Sequence, residues 1–294
     1  MVVAVRLQGG LGNQLFQYAA ARQLAQPRGA KLALDIAPYT GTPDQTKGGG
    51  SRRQFELAAL RIKGTVTSIR SWPLATRLRL KLAERLPPAL ALPLGVYRQP
   101  HFHFAPSFLA LPSRIYLIGF FQSERYFAPI AEDIRKELQP RDERLIREAE
   151  TDIARWRRPG RPLVSVHVRR ADYVTKQALG GLFHCLPGDY YARAMARFGP
   201  GADYLVFSDD LAWCRDNMRG DNIFYCDTGR ALDDLLRMTL CDHHIIANST
   251  FSWWAVWLAA RGDRRVLAPT DWHGRYPERW AGDEDIYAAG WERY

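Results

Sequence analysis

The sequence lacks any long apolar run. A transmembrane helix needs roughly 18 or more consecutive apolar residues, and no stretch of the chain reaches that length. The N-terminal residues MVVAVRL also lack the charged segment and small-residue cleavage site of a signal peptide. We therefore expect a cytoplasmic protein, and a peripheral contact with the inner face of the membrane stays open.

Cysteine is scarce, and no two cysteines have the C-x-x-C spacing of zinc sites and redox-active disulfides. We expect reduced, mostly buried thiols. His101 and His103 lie close together, but no third metal ligand is evident. The sequence therefore predicts no metal site. The four cysteines are Cys185, Cys214, Cys226 and Cys241.

Acidic residues are outnumbered by basic ones, 31 against 41, which gives a formal net charge of +10. Such a charge favours anionic partners, namely nucleic acid, a nucleotide-linked substrate or an anionic membrane. The basic residues are scattered and no recognised nucleic-acid-binding motif occurs, so we expect no nucleic-acid partner. With 47% apolar residues, the chain can form a full globular core.

Strand and helix patterns alternate along the chain. A strand, a glycine-rich loop, a helix and a second strand are complete within the first 36 residues, and four further strand–helix units follow residue 162. This order predicts an α/β protein with parallel, doubly wound sheets. A helical stretch over residues 141–158 ends at Pro159-Gly160, which we take as the linker between domains 1–158 and 159–294. Packing of the last residues of the second domain back on the first stays open.

Gly10 and Gly12 lie between the first predicted strand and helix, where small residues let the backbone approach a ligand. They resemble the start of a dinucleotide fingerprint, but Leu15 takes the place of the third glycine. Asp35 ends the second strand, where a ribose-binding acid is expected. A nicotinamide-dependent oxidoreductase is therefore an alternative function, and a turn that binds nothing is also open.

His167 and Arg169 follow an apolar run at residues 163–166. Alternation along the predicted strand places both on one side, at the carboxyl end where open α/β sheets bind ligands. Arginine is suited to bidentate capture of phosphate oxygens. We predict that His167 and Arg169 bind the leaving group of a phosphorylated donor. The alternative is a pair of salt-bridged arginines at a surface strand end.

Two further strand ends carry polar residues. Asp209 and Asp210 can accept from guanine N–H groups or ribose hydroxyls, or simply cap the next helix. Ser249 and Thr250 can leave amides and hydroxyls at a positive helix end for a pyrophosphate, or cap that helix alone. Together the three strand ends suit a base, a ribose and a diphosphate.

Residues 70–86 form a basic helical pattern with leucines at four-residue spacing, beginning at Leu74 and ending at Leu86. We interpret it as a solvated helix with a buried leucine stripe. Contact with an anionic membrane is the alternative.

These motifs resemble those of the α-1,2-fucosyltransferase family. Residues 167–173, HVRRADY, resemble its H-x-R-R-x-D-Y motif, and residues 9–19, GGLGNQLFQYA, resemble its N-terminal motif. Residues 207–210 and 248–254 resemble two further motifs, and residues 119–127 fit another family segment. The matches occur in the family's order over nearly the whole chain.

The resemblance implies a GT-B-like fold of two Rossmann-like domains facing across a cleft. It implies inverting, metal-independent transfer of L-fucose from GDP-fucose to the 2-hydroxyl of a galactose-containing glycan. Whether that glycan is linked to a lipid stays open. The N-terminal domain would then bind the acceptor and the C-terminal domain GDP-fucose. No cofactor besides the donor is implied.

The same resemblance implies roles for single residues. Arg169 would hold the diphosphate, His167 would lie near the guanosine, and Asp209 or Asp210 would read guanine. Asp172 is the nearest motif carboxylate for a general base; Glu124 and Asp189 are other options, and bracing Arg170 is the alternative role of Asp172. The remaining predicted donor-site and cleft residues are Ser249, Thr250, Phe251, Ser252, Gly10 and Asn13.

Overall fold

The chain folds into two compact units. The computed structural model describes residues 1–40, 53–170, 173–174, 184–259, 262–273 and 284–294. The described residues of the first unit are 1–40, 53–141 and 284–287; those of the second begin at Asp142 and include residues 288–294.

The two units divide ahead of the boundary expected at residues 158/159. Helix α5 (Arg144–Trp156) belongs to the second unit because it packs on helix α8 (Ala231–Thr239). A partly buried ion pair reinforces this packing, with Arg237 Nη2 2.5 Å from Asp152 Oδ2.

The first unit is built on a five-stranded sheet in the order β3-β2-β1-β5-β4, in which every neighbouring pair is parallel. Apolar runs form these strands because parallel strands are covered on both faces. The strands are β1 (Val2–Arg6), β2 (Lys31–Asp35), β3 (Thr65–Thr67), β4 (Val96–Arg98) and β5 (Ile115–Ile118). The helices are α1 (Leu11–Ala25), α2 (Leu74–Arg85), α3 (Pro88–Ala91) and α4 (Ala131–Glu137).

Helix α1 begins at Leu11, within the segment that the sequence pattern indicates as a glycine-rich loop. Gly10 is its N-cap residue, and the Gln14 N–H donates to the Gly10 carbonyl over 3.1 Å. The polar run before Leu15 conceals this helical turn in the sequence. The fold stabilises it because the side chain of Gln14 is fully buried and donates to the carbonyls of Gly9 and Gln54.

The second unit contains a six-stranded sheet in the order β11-β10-β9-β6-β7-β8, again parallel in every pair. This confirms the doubly wound α/β prediction. The strands are β6 (Leu163–Val168), β7 (Asp203–Ser208), β8 (Ile223–Cys226), β9 (His243–Ile245), β10 (Val266–Ala268) and β11 (Glu292–Arg293). The remaining helices are α6 (Gly188–Ala196), α7 (Leu211–Asn217) and α9 (Thr250–Leu258).

Strand β6 lies in the centre of this sheet, and all six of its residues are buried. Val164 and Val166 pack with Tyr190 and Tyr191 of α6. The cysteine prediction is confirmed, since all four are free and three are buried, the exception being the half-buried Cys185.

Helix α2 differs from its prediction. Leu74, Leu78 and Leu82 are 64%, 56% and 55% exposed, whereas Leu80 and Ala83 are buried. The prediction of a buried four-residue leucine stripe is therefore wrong, because α2 packs on the sheet through its opposite side. Among the helices that the structure describes, none is long and apolar enough to cross a bilayer.

Candidate functional site

The three predicted strand ends come together at one edge of the second sheet. Strand β6 lies between β9 and β7, and the register pairs His167 with Phe207 and Val166 with Ile245. The chain order reverses between β6 and β9, and ligands of open α/β sheets bind at the carboxyl ends of the strands beside such a reversal.

Arg169 is held on two sides just after β6. Its Nη1 atom lies 2.5 Å from Asp209 Oδ2, and its guanidinium lies 5.3 Å from the centre of the Tyr173 ring. The Tyr173 hydroxyl also donates to the Asn248 carbonyl over 3.2 Å. Tyr173 therefore connects the β6 and β9 strand ends, a role that its place in the motif did not reveal.

Both carboxylate oxygens of Asp209 contact the segment that follows β6. While Oδ2 contacts Arg169, Oδ1 accepts from the Arg170 N–H over 2.9 Å. The structure thus brings Arg169 and Asp209 together as an ion pair, although the resemblance implied separate roles for them.

Arg170 points to other partners, as strand alternation predicts. Its guanidinium lies 3.9 Å from the centre of the Trp213 ring, and its Nε atom lies 3.3 Å from Asp210 Oδ2. Asp210 Oδ1 accepts from the Trp213 N–H at the start of α7, which confirms the capping alternative for Asp210. Arg170 therefore holds the start of α7 against the end of β6.

His167 is buried and neutral near physiological pH. Burial, together with the nearby Arg169 charge, lowers the pKa of His167 to about 3. Its ring centre lies 5.3 Å from that of Phe251, and within the described ranges its Nδ1 atom has no hydrogen-bond partner. A buried polar atom without a partner costs about 1–3 kcal/mol, a cost that a ligand hydrogen bond would remove.

A second such atom belongs to Asn248, in the segment between β9 and α9. Asn248 is buried, and its Nδ2 atom donates to the carbonyls of His184 and Trp272. Its Oδ1 atom has no partner among the residues that the structure describes. Both unpartnered atoms thus belong to the residues where the sheet order reverses, between β6 and β9.

Helix α9 begins beside these residues. Ser249 is its N-cap, and the Ser249 hydroxyl accepts from the Phe251 N–H over 3.3 Å. Thr250 is the first helical residue, and no acidic residue lies in the first turn. No acidic side chain of this turn therefore opposes an anion at the positive end of the helix.

Ser252 is directed into the protein. It is fully buried, and its hydroxyl donates to the carbonyls of Ser249 and Ala247. The three tryptophans after it are also buried. They are Trp253, Trp254 and Trp257.

The predicted residues of the first unit form a separate cluster at the start of α1. Asn13 Oδ1 accepts from Gln122 Nε2 over 2.9 Å, which connects the segments after β1 and β5. The Leu11 N–H donates to the Glu56 carboxylate. Burial raises the pKa of Glu56, whereas this hydrogen bond and the Arg53 charge act in the opposite direction. A carboxyl group of the chain itself thus binds the helix start where the glycine loop was expected to approach a ligand.

Asp35 is not available to a ribose. It is fully buried, Oδ2 accepts from the Tyr116 hydroxyl over 2.6 Å, and Oδ1 accepts from the N–H groups of Ala37 and Ile69. Both oxygens of Asp35 are used in hydrogen bonds within the protein. Asp35 therefore cannot be the ribose-binding acid that a nicotinamide-dependent oxidoreductase would need.

The candidate general bases are placed as follows. Asp172 lies outside the described residues. Asp189 is 62% exposed and forms an ion pair with Arg193, and Glu124 begins a short 3₁₀ turn in the first unit. No three histidine, cysteine, aspartate or glutamate side chains are grouped as metal ligands in the described part of the chain.

Comparison with known proteins identifies the class of enzyme. Residues 101–294 match glycosyl transferase family 11. The chain belongs to this family and is a glycosyltransferase, which confirms the resemblance to the α-1,2-fucosyltransferases.

Two curated relatives illustrate the range of the family. An Escherichia coli α-1,2-colitosyltransferase is 30% identical over 95% of this chain and 98% of its own length. The galactoside α-(1,2)-fucosyltransferase 1 of Bos taurus is 36% identical over 52% of this chain and 45% of its own length.

Solved structures support the fold. POFUT1 in complex with GDP has a TM-score of 0.50 and 13% identity, over 91% of this chain and 97% of that chain. At this identity the likeness shows the fold alone. Together with the two parallel sheets, it confirms the GT-B-like α/β class.

Proposed function

We propose that the protein transfers L-fucose from GDP-fucose to the 2-hydroxyl of a galactose-containing glycan, with inversion and without a metal. The observation that carries this proposal is the group at the β6/β9 reversal. It consists of Arg169, the start of α9, and the buried His167 and Asn248, each with a polar atom that no described residue hydrogen-bonds. A cation and a helix N-terminus beside hydrogen-bonding groups suit a nucleoside diphosphate.

Departure of GDP places negative charge on the β-phosphate while the sugar gains oxocarbenium character. In this proposal Arg169 and the positive end of α9 stabilise that charge, and they are in place before the bond breaks. His167, Phe251 and Asn248 contact the nucleoside side of the donor.

The acceptor hydroxyl must lose a proton during transfer. We propose Asp172 as its base, and a comparison of the pH–rate profiles of Asp172→Asn and the parent enzyme distinguishes that role from bracing of Arg170. Loss of the acidic limb identifies a base, whereas a lower rate with an unchanged profile identifies a structural brace.

The test is transfer in the presence of EDTA. Purified protein, GDP-fucose and a panel of galactose-terminated glycans, one of them lipid-linked, should give an α-1,2-linked product whose linkage and anomeric configuration NMR determines. A requirement for added metal would overturn the metal-independent mechanism. A strong preference for a donor carrying colitose, the sugar named for the Escherichia coli relative, would overturn the choice of fucose.

A further inference from the structure

Helix α2 has an exposed apolar stripe that the proposed reaction does not use. Leu74, Leu78 and Leu82 recur at four-residue spacing, and more than half of each side chain is exposed. Leu90, at 58%, and Leu92, at 39%, continue the exposed leucines into α3 and the turn after it, which pack against α2. Five of the nine large hydrophobic side chains that are exposed in the described residues thus lie between residues 74 and 92.

Basic residues share the exposed side of the helix. At 3.6 residues per turn, Lys81 and Arg85 lie on the same side as Leu78, and Arg79 lies at its margin. All three basic residues are exposed.

The acidic residue of α2 is on another side. Glu84 is half-buried and forms an ion pair with Arg6 of β1. The exposed side of α2 is therefore both apolar and positively charged, without a carboxylate of its own.

The buried side of α2 shows that this exposure is a property of the folded unit. Leu80 and Ala83 pack in a core with Val96 and Tyr116. Turning the leucine stripe inward would expose that core, so the stripe stays at the surface of the folded protein.

We propose that the surface formed by α2 and residues 88–94 docks on an anionic phospholipid bilayer. A bilayer is favoured over a protein partner because leucines and basic residues share one helix face, the arrangement of helices that lie in the membrane interface. The leucines enter the acyl boundary while Arg79, Lys81 and Arg85 contact anionic headgroups. This inference does not depend on which sugar the enzyme transfers.

The test is flotation of the full chain with vesicles. We expect binding at low salt to vesicles of equal parts phosphatidylglycerol and phosphatidylcholine, and at least about tenfold less to phosphatidylcholine alone, since each Lys or Arg near an anionic surface contributes to binding. The triple variant Leu74→Ser, Leu78→Ser, Leu82→Ser should lose at least about tenfold of the binding, because the apolar contribution disappears. All three positions are exposed, so the fold is retained.

A charge-matched pair of variants separates local attraction from net charge. Replacing Arg79, Lys81 and Arg85 with Glu should abolish binding. The control variant carries three Arg-to-Glu replacements at exposed positions of the second unit and should keep most of the vesicle binding. The control positions are Arg147, Arg215 and Arg219.

Three outcomes would overturn the proposal: no binding to anionic vesicles, equal loss in both charge variants, or unchanged binding in the leucine variant. If the leucine variant instead converts a dimer into a monomer in sedimentation, with unchanged vesicle binding, the surface joins two copies of the chain and the proposal is wrong. Transfer to a short water-soluble acceptor should be equal in all variants, so failure of the docking surface is distinguishable from failure of the proposed reaction.

Discussion

Arg169 and Asp209 form an ion pair, with 2.5 Å between Nη1 and Oδ2, across the ends of two adjacent strands. Since the other oxygen of Asp209 accepts from the Arg170 N–H, the carboxylate fixes the backbone as well as the guanidinium. Asp209 is therefore suited to positioning Arg169, which differs from the guanine-reading role that the family resemblance implied.

The two roles predict different nucleotide selectivity for Asp209→Asn. If Asp209 positions Arg169, turnover should fall roughly a hundred-fold, the effect typical of a misplaced catalytic group, while affinities for GDP and IDP decrease together. The measurement is kcat and KM for transfer, together with calorimetric affinities for the two nucleotides. IDP lacks the exocyclic amino group of GDP, so a selective loss of GDP affinity would restore the guanine-reading role.

Asp210→Asn is the matched control for this prediction. Asparagine can still cap α7 through the Trp213 N–H, but the ion pair with Arg170 is lost, so this variant should lower the free energy of unfolding slightly and leave the GDP/IDP ratio unchanged.

Arg169→Lys should nearly abolish transfer although it retains the positive charge. Lysine cannot reproduce the planar fork that meets two oxygens at once. Loss of a donor of this kind typically costs about 2.7–4 kcal/mol, or roughly a hundred- to thousand-fold in kcat.

Thermal unfolding should show that the Arg169→Lys variant is folded. The control is Arg147→Lys at an exposed position of α5, which should be fully active. Near-normal turnover of Arg169→Lys would contradict the proposed role of Arg169.

The sequence predicts the strand ends of the donor site well because local pattern determines them. The apolar run at residues 163–166 begins β6, and the polar residues near the ends of β6, β7 and β9 meet because the carboxyl ends of parallel strands share one side of the sheet.

What the sequence does not predict is which side chains pair once those ends meet. The Arg169–Asp209 ion pair joins residues 40 positions apart, and Glu56 reaches the start of α1 from a distant segment. Such contacts depend on tertiary packing, and hydrophobic periodicity carries no information about it. The prediction that the leucine stripe of α2 is buried is wrong for the same reason, since residue spacing defines a face of the helix but not which face packs on the sheet.

Gly9→Ala should destabilise the first unit more than an ordinary glycine substitution. Gly9 has φ +82°, and an added Cβ would lie 2.5 Å from Asn13 Nδ2. The left-handed backbone costs a non-glycine residue about 1–2 kcal/mol, and moving Asn13 adds to that cost. Urea unfolding should therefore show a larger loss than Gly29→Ala gives.

Gly29 is the matched control because its φ is +58° and nothing lies within 4 Å of its added Cβ. Gly29→Ala should show the backbone cost alone. Equal losses in the two variants would mean that Asn13 moves aside without cost and is not fixed by its bond to Gln122.

His244 should make the protein less stable as the pH falls. Burial lowers the pKa of His244 to about 3, whereas an unfolded histidine has a pKa of about 6.5. Between these values the unfolded chain binds a proton that the folded chain does not. The free energy of unfolding is therefore highest above pH 6.5 and decreases as the pH falls below it. A single such histidine should lower the free energy of unfolding by about 1.4 kcal/mol between pH 7.5 and pH 5.5.

The check is urea unfolding of His244→Gln and Ser165→Ala at both pH values. His244→Gln removes the titrating ring and should lose about 1.4 kcal/mol of the pH dependence, leaving the part that comes from the similarly buried His167. Ser165→Ala removes only the hydroxyl that lies 2.7 Å from His244 Nδ1, so it should retain the steep pH dependence even if it is less stable overall. If His244→Gln keeps the parent's pH dependence, the ring is protonated in the folded protein and its burial does not control its charge.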